Sequence, residues 1–123
     1  MITTETKKPD DIHAVLKHPV IYDSISCDKT PCSEHFTAPI SDDYRYIVGK
    51  LDNEVIALMV YHTYKDGEVC HIQVLPEYRE KHAKEFAEQA LTFKSTQNLY
   101  AEIPDNYANV LAFAKSFGFS VID

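Results

Sequence analysis

The sequence predicts a mixed α+β fold, sandwich-like, with a mainly antiparallel sheet flanked by helices in the order α-β-β-β-α-β-α-β. Three observations predict it. Two short polar turns, Asp52-Asn53 and Lys65-Asp66-Gly67, separate apolar segments of strand length. A one-sided apolar stripe at helical spacing, Ala83, Phe86, Ala87, Ala90 and Leu91, follows a proline turn. A short apolar segment and a second amphipathic stretch then close the chain.

Taken in order, residues 1–8 are polar and read as a flexible terminus. Pro9-Asp10-Asp11 supplies helix-start chemistry, and Ile12, Val15 and Leu16 form a stripe that stops before Pro19. Ile21 to Ile40 has no steady period and contains Pro31 and Pro39, so it reads as loop with one helical turn at most. Tyr44–Leu51, Glu54–Tyr64 and Glu68–Leu75 then form a three-strand meander. The next helix follows Pro76 and runs to about Lys94. Leu99–Ile103 is a short strand, and the helix between it and the meander makes it parallel to its neighbour. Pro104-Asp105-Asn106 opens a final helix whose Val110, Phe113, Ala114 and Phe117 share a face, with Gly118 as its C-terminal cap. Ser120–Asp123 can begin one more strand.

At 123 residues the chain reads as one domain, 1–123. Its longest apolar run, Val55 to Tyr61, is too short to span a bilayer, and the expected setting is the cytosol. Twelve basic against nineteen acidic groups give a net charge of −7, which argues against nucleic acid or an anionic membrane as partner. An anionic ligand would need a local basic patch, and Arg79, Lys81, His82 and Lys84 supply one. A strand, a proline turn and a helix start in succession form an arrangement that cradles a pyrophosphate, because free backbone N–H groups and the positive helix end face the anion. Its structural counterpart is a solvated helix start, with Glu77, Glu80 and Glu85 interleaved.

Cys27, Cys32 and Cys70 have no framework spacing and read as free thiols. Cys27, Cys32 and His35 lack a fourth ligand, so no metal is expected. Along the third strand, alternation sends Cys70, Ile72 and Val74 to one face and His71 and Gln73 to the other. Cys70 reads as a core residue. Tyr44, Tyr46, Tyr61 and Tyr64 on adjacent strands fit an interaction face and cross-strand packing equally well.

The element order, the Val74-Leu75-Pro76-Glu77-Tyr78-Arg79 turn and the Asn109…Gly118-Phe119 ending together resemble the GNAT superfamily of acyl-CoA-dependent N-acetyltransferases, over roughly Tyr44 to Phe119. A closer likeness is to a GNAT-like group of tailed bacteriophages that includes head-assembly proteins. It is carried by Val15-Leu16-Lys17-His18-Pro19, Gln73 to Arg79, Lys81-His82-Ala83, Glu85-Phe86-Ala87, Phe113-Ala114 and Gly118-Phe119. The resemblance implies that the pantetheine arm of acetyl-CoA pairs with the strand at Ile72 to Val74, and that Arg79, Lys81, His82, Ala83 and Lys84 hold the pyrophosphate. It also implies a general base on that strand, for which His71 and Glu68 are the candidates; the structural alternatives are a hydrogen-bonded strand histidine and a solvated hairpin charge.

The departures from the superfamily pattern are specific. Its loop reads Arg/Gln-x-x-Gly-x-Gly/Ala, whereas this chain has Arg79-Glu80-Lys81-His82-Ala83-Lys84, with no glycine to admit a phosphate closely. Its tyrosine acid, four residues before the Gly-Phe pair, is here Ala114, and Tyr107 lies about two turns away. The C-terminus is shortened, with room for one final strand where the superfamily pairs two. These departures imply weakened CoA binding. The expectation is therefore a non-catalytic head-assembly or virion-associated factor, with phage structural or assembly proteins as partners in the host cytoplasm or the virion. Its alternative is an active acetyl-CoA-dependent N-acetyltransferase with a divergent loop, and a small regulatory binding module is a third.

Overall fold

The computed structural model describes residues 1–25, 38–95, 98–101 and 108–121. Five strands form one sheet in the order β1-β2-β3-β4-β5: Ile2–Thr6, Tyr44–Leu51, Glu54–Tyr64, Gly67–Val74 and Leu99–Tyr100. Helices α1 (Pro9–Leu16) and α2 (Pro19–Ile25) precede β2, α3 (Arg79–Ala90) separates β4 from β5, and α4 (Ala108–Lys115) follows β5. The first three strand pairs are antiparallel and the last, β4 with β5, is parallel, as the intervening helix requires.

Asp52 and Asn53 both take positive φ, 52° and 68°. This is the conformation that a two-residue hairpin needs and that Asp and Asn tolerate well. The turn fixes the register Leu51↔Glu54 and with it the face of every side chain on β2 and β3. One face, with Tyr46, Val48 and Leu58, packs on Ile12, Val15 and Leu16 of α1 and Ile21 of α2. The opposite face, with Ile47, Met59 and Tyr61, packs on Phe86 and Ala90 of α3. Tyr46 and Tyr61 are thus core residues on opposite faces and do not form a common surface. Their hydroxyls donate to Pro39 O and Ala90 O.

Three expectations change. Residues 1–8 do not read as a flexible terminus in the structure, because Ile2–Thr6 pairs along β2 from Ile2↔Lys50 to Thr6↔Tyr46. The Thr3 hydroxyl bonds Gln89 Oε1 of α3, and Glu5 pairs with Arg45. The alternation Ile-Thr-Thr-Glu-Thr is too polar to announce a strand; an edge strand needs little apolar content because only part of it is covered. Pro19–Ile25 is a helix of two turns where the sequence suggests one. Ser120 and Val121 carry no strand, and residues 122–123 lie outside the described residues.

The last helix ends as its glycine requires. Gly118 has φ +95°, its N–H donates to Lys115 O at 3.0 Å, and Phe119 N–H donates to Ala114 O at 3.3 Å. This is the paired bond pattern of a Schellman cap. A different constraint acts at Gly67, where a Cβ would lie 1.9 Å from the backbone oxygen of Asn98. Only glycine lets β5 come this close to the start of β4.

Candidate functional site

The site is built on an incompletely paired strand. Leu75 N–H donates to Ile56 O of β3 at 2.9 Å, and Glu68 N–H donates to Asn98 O on the other side at 3.1 Å. Backbone groups alternate along a strand, so those of the odd-numbered residues of β4 face β3 and those of the even-numbered residues face β5. Yet β5 pairs with only two residues of β4, Glu68 with Leu99 and Val69 with Tyr100. The backbone N–H and C=O of Ile72 and the N–H of Val74 therefore face an edge that no strand among the described residues covers. Val74 C=O is taken by Arg79 Nε at 3.0 Å. This edge coincides with the stretch from Ile72 to Val74 singled out in the sequence. It can pair with any extended ligand that presents alternating donors and acceptors.

At the far end of β4 the chain passes through one 3-10 turn, Pro76–Tyr78, directly into α3 at Arg79. The sequence suggests a loop here, but there is none. Glu80, Lys81, Ala83 and Lys84 are good helix formers with no glycine to interrupt them, so the helix extends back to the turn. The N–H of Arg79 is already bonded to Pro76 O. What remains is an open concavity of about 400 Å³ lined by Pro76, Glu77, Tyr78, Glu80, Lys81 and His82. His82 Nδ1 lies 3.4 Å from Glu85 Oε1 and its ring 6.1 Å from that of Tyr78, while Lys81 and Lys84 are exposed and Ala83 packs on the α3-side core. The positive helix end and the lysines can meet an anion there, through side chains and not through a backbone cradle.

The two candidate bases separate sharply. Glu68 is not a solvated hairpin charge. It is 5 % exposed, accepts from Arg45 Nη1 at 3.3 Å, and accepts from the Ser95 hydroxyl at 3.0 Å and the Ser95 N–H at 3.3 Å. Arg45 in turn reaches Glu5 at 3.2 Å and Phe93 O at 2.7 Å, and stacks over Tyr61 at 5.3 Å. Burial alone would lower the Arg45 pKa, but its bonds to and attraction from Glu5 and Glu68 outweigh that and raise it. A carboxylate held by a guanidinium and a serine is a structural anchor, with no lone pair directed at the open edge.

His71 is half-buried on the α1 face, beside Ile72 in the chain. Its Nε2 lies 3.1 Å from Nε2 of His62, and the two rings stack at 5.2 Å with an 11° interplanar angle. Tyr44 covers the His62 ring at 5.5 Å. Sequence reasoning missed His62 and Arg45. Both follow from the register: His62 opposes Val69, one diagonal step from His71, and Arg45 opposes Tyr61.

Cys70, Ile72 and Val74 lie on the α3 face, as alternation predicts. Burial pushes the Cys70 thiol from 9.0 up to about 11, with the charge of Glu68 adding in the same direction, so it is not a nucleophile at neutral pH. Burial likewise pushes Tyr46 up to about 12. Both groups are held in their neutral forms. Their contribution to stability is complete below the unfolded values, near 9 and 10, and is lost as pH rises through about 11 and 12. The urea midpoint should therefore fall between pH 9 and 12, and Cys70→Ala should flatten the first part of that fall. An unchanged slope in Cys70→Ala would contradict the assignment.

Ala114 is half-buried on α4 and offers no acid. Tyr107, and Cys27, Cys32 and His35 with their spacing, lie outside the described residues. No helix among the described residues is long and apolar enough to cross a membrane.

Comparison with known proteins gives a consistent result. The sequence model of the acetyltransferase (GNAT) family matches residues 17–119. No curated protein matches the chain by sequence. Among solved structures, an aminoglycoside acetyltransferase from an uncultured soil metagenomic sample, in complex with sisomicin, is similar with a TM-score of 0.69 at 12% identity, over 99% of this chain and 90% of that one. An aminoglycoside N-acetyltransferase in complex with CoA is similar at 0.68 and 13% identity, over 99% and 93%. The ribosomal-protein-S18-alanine N-acetyltransferase from Escherichia coli is similar at 0.66 and 13% identity, over 99% and 80%.

Proposed function

The chain belongs to the acetyltransferase (GNAT) family, and from that premise we propose that it is an acyl-CoA-dependent N-acyltransferase acting on an amine. The observation that carries this reading is the uncovered edge of β4 at Ile72 and Val74, where the parallel pairing with β5 stops after Val69. Acyl-CoA, when bound, supplies an acyl group activated as a thioester. The backbone of Ile72 and Val74 would pair with its pantetheine arm as an added strand. Lys81 and His82 at the start of α3, flanked by Arg79, Ala83 and Lys84, would meet its phosphates. The fit is good along the strand and weaker at the phosphates, since Glu77 and Glu80 line the same concavity. His71 accepts the proton that the attacking amine gives up. A net charge of −7 favours a cationic acceptor. The similar structures include transferases named for aminoglycosides and for a ribosomal-protein alanine, both amine acceptors.

The other reading, a non-catalytic head-assembly or virion-associated factor of a tailed phage, is favoured by the helical start of α3 and by Ala114. Neither the family match nor the similar structures support a phage role, and we prefer the transferase.

Titration calorimetry with acetyl-CoA separates the two. The expected result is saturable heat below millimolar concentration, with affinity falling about tenfold in Arg79→Ala/Lys81→Ala, the order of a charged hydrogen bond. No heat at millimolar acetyl-CoA would overturn the transferase reading and leave the assembly one.

A further inference from the structure

We infer that His62 is a positioning residue that holds His71 in the tautomer with its proton on Nε2. The inference rests on the reading of His71 as the proton acceptor and adds how that acceptor is prepared. His62 Nδ1 lies 3.2 Å from the carbonyl oxygen of Thr63. A carbonyl only accepts, so His62 Nδ1 carries the proton of that contact. A neutral ring protonated at Nδ1 has its lone pair at Nε2. That lone pair is 3.1 Å from His71 Nε2, so the proton between the two rings belongs to His71.

A neutral His71 protonated at Nε2 has its basic lone pair on Nδ1. The proton leaving an amine therefore arrives at Nδ1, and the resulting imidazolium keeps its Nε2–H directed at His62. The bond between the rings becomes charge-assisted as the charge forms, which is when it helps the reaction. The stack fixes the geometry as well: Tyr44 on one side and His71 on the other hold the His62 ring at 5.5 and 5.2 Å. The device is built across β3 and β4 by the register alone, since His62 and His71 sit one diagonal step apart on the same face. Thr63, whose N–H donates to Asp43 O at 3.1 Å, holds the carbonyl end in place.

The test is ¹⁵N NMR of the histidine rings in the full chain, with two variants. The expected wild-type result is a one-bond N–H coupling at His71 Nε2 and a coupling across the hydrogen bond to His62 Nε2. His62→Phe keeps an aromatic ring in the stack but has no lone pair; there the shared coupling disappears, the His71 proton exchanges with solvent, and kcat/KM falls about tenfold. His62→Gln restores an acceptor and recovers most of both. A proton found on His62 Nε2 in the wild type overturns the inference, as does a His71 proton equally protected in His62→Phe. The NMR result needs no turnover, so failure to transfer acyl groups would strike the functional reading and leave the tautomer result to be judged on its own.

Discussion

Arg45→Met should lower stability by about 3–5 kcal/mol, the usual cost of removing one partner from a buried ion pair. The methionine fills most of the arginine's apolar volume. It leaves the Glu68 carboxylate, 7 % exposed at its side chain, with only Ser95 to bond it. The same change releases Phe93 O and Glu5, so it also loosens the turn after α3 and the tie from β2 to β1. Urea unfolding should show a lower midpoint at unchanged slope. The double variant Arg45→Met/Glu68→Gln should recover a large part of the loss, because the unpaired charge is gone. If the double variant is no more stable than the single one, the loss comes from packing and not from charge.

His71→Ala should reduce kcat/KM by about 10²–10⁴-fold, the range over which a positioned general base acts. Its thermal midpoint should stay near that of the wild type, since His71 is half-buried and belongs to neither core cluster. The contrast with Glu68 is the useful control. Glu68→Gln should show its main effect in the unfolding curve, because Glu68 contacts Arg45 and Ser95 and does not face the open edge. Equal activity losses in stability-matched His71→Ala and Glu68→Gln proteins would remove the distinction between base and anchor.

The two bases illustrate where the sequence reading succeeds and where it fails. Alternation along β4 places His71 and Glu68 on opposite faces without any structure, because side chains in a strand have a period of two. It does not say which face buries a charge. Glu68 follows a turn glycine, which suggests solvent; the turn after α3 returns to cover it, and that return is a long-range event. Likewise the expected anion loop rests on the order of strand, proline and helix, and that order is correct. Whether Glu80 to Lys84 form a loop or a helical turn depends on local propensity, and the missing glycines decide for helix.

The sequence by itself determined the hairpins, the parallel crossover, the apolar face of α3 and the cap at Gly118. Each depends on a few neighbouring residues with a strong local preference: Asp52-Asn53 for positive φ, Ala83 to Leu91 for one helical face, Gly118 for the left-handed cap. Only the tertiary structure decided that Ile2–Thr6 is a strand, that Arg45 neutralises Glu68, that His62 meets His71, and that β5 leaves Ile72 uncovered. These facts join residues between 9 and 44 or more positions apart in the chain. Their energies come from pairing that exists only after the sheet has assembled, and no local pattern encodes it.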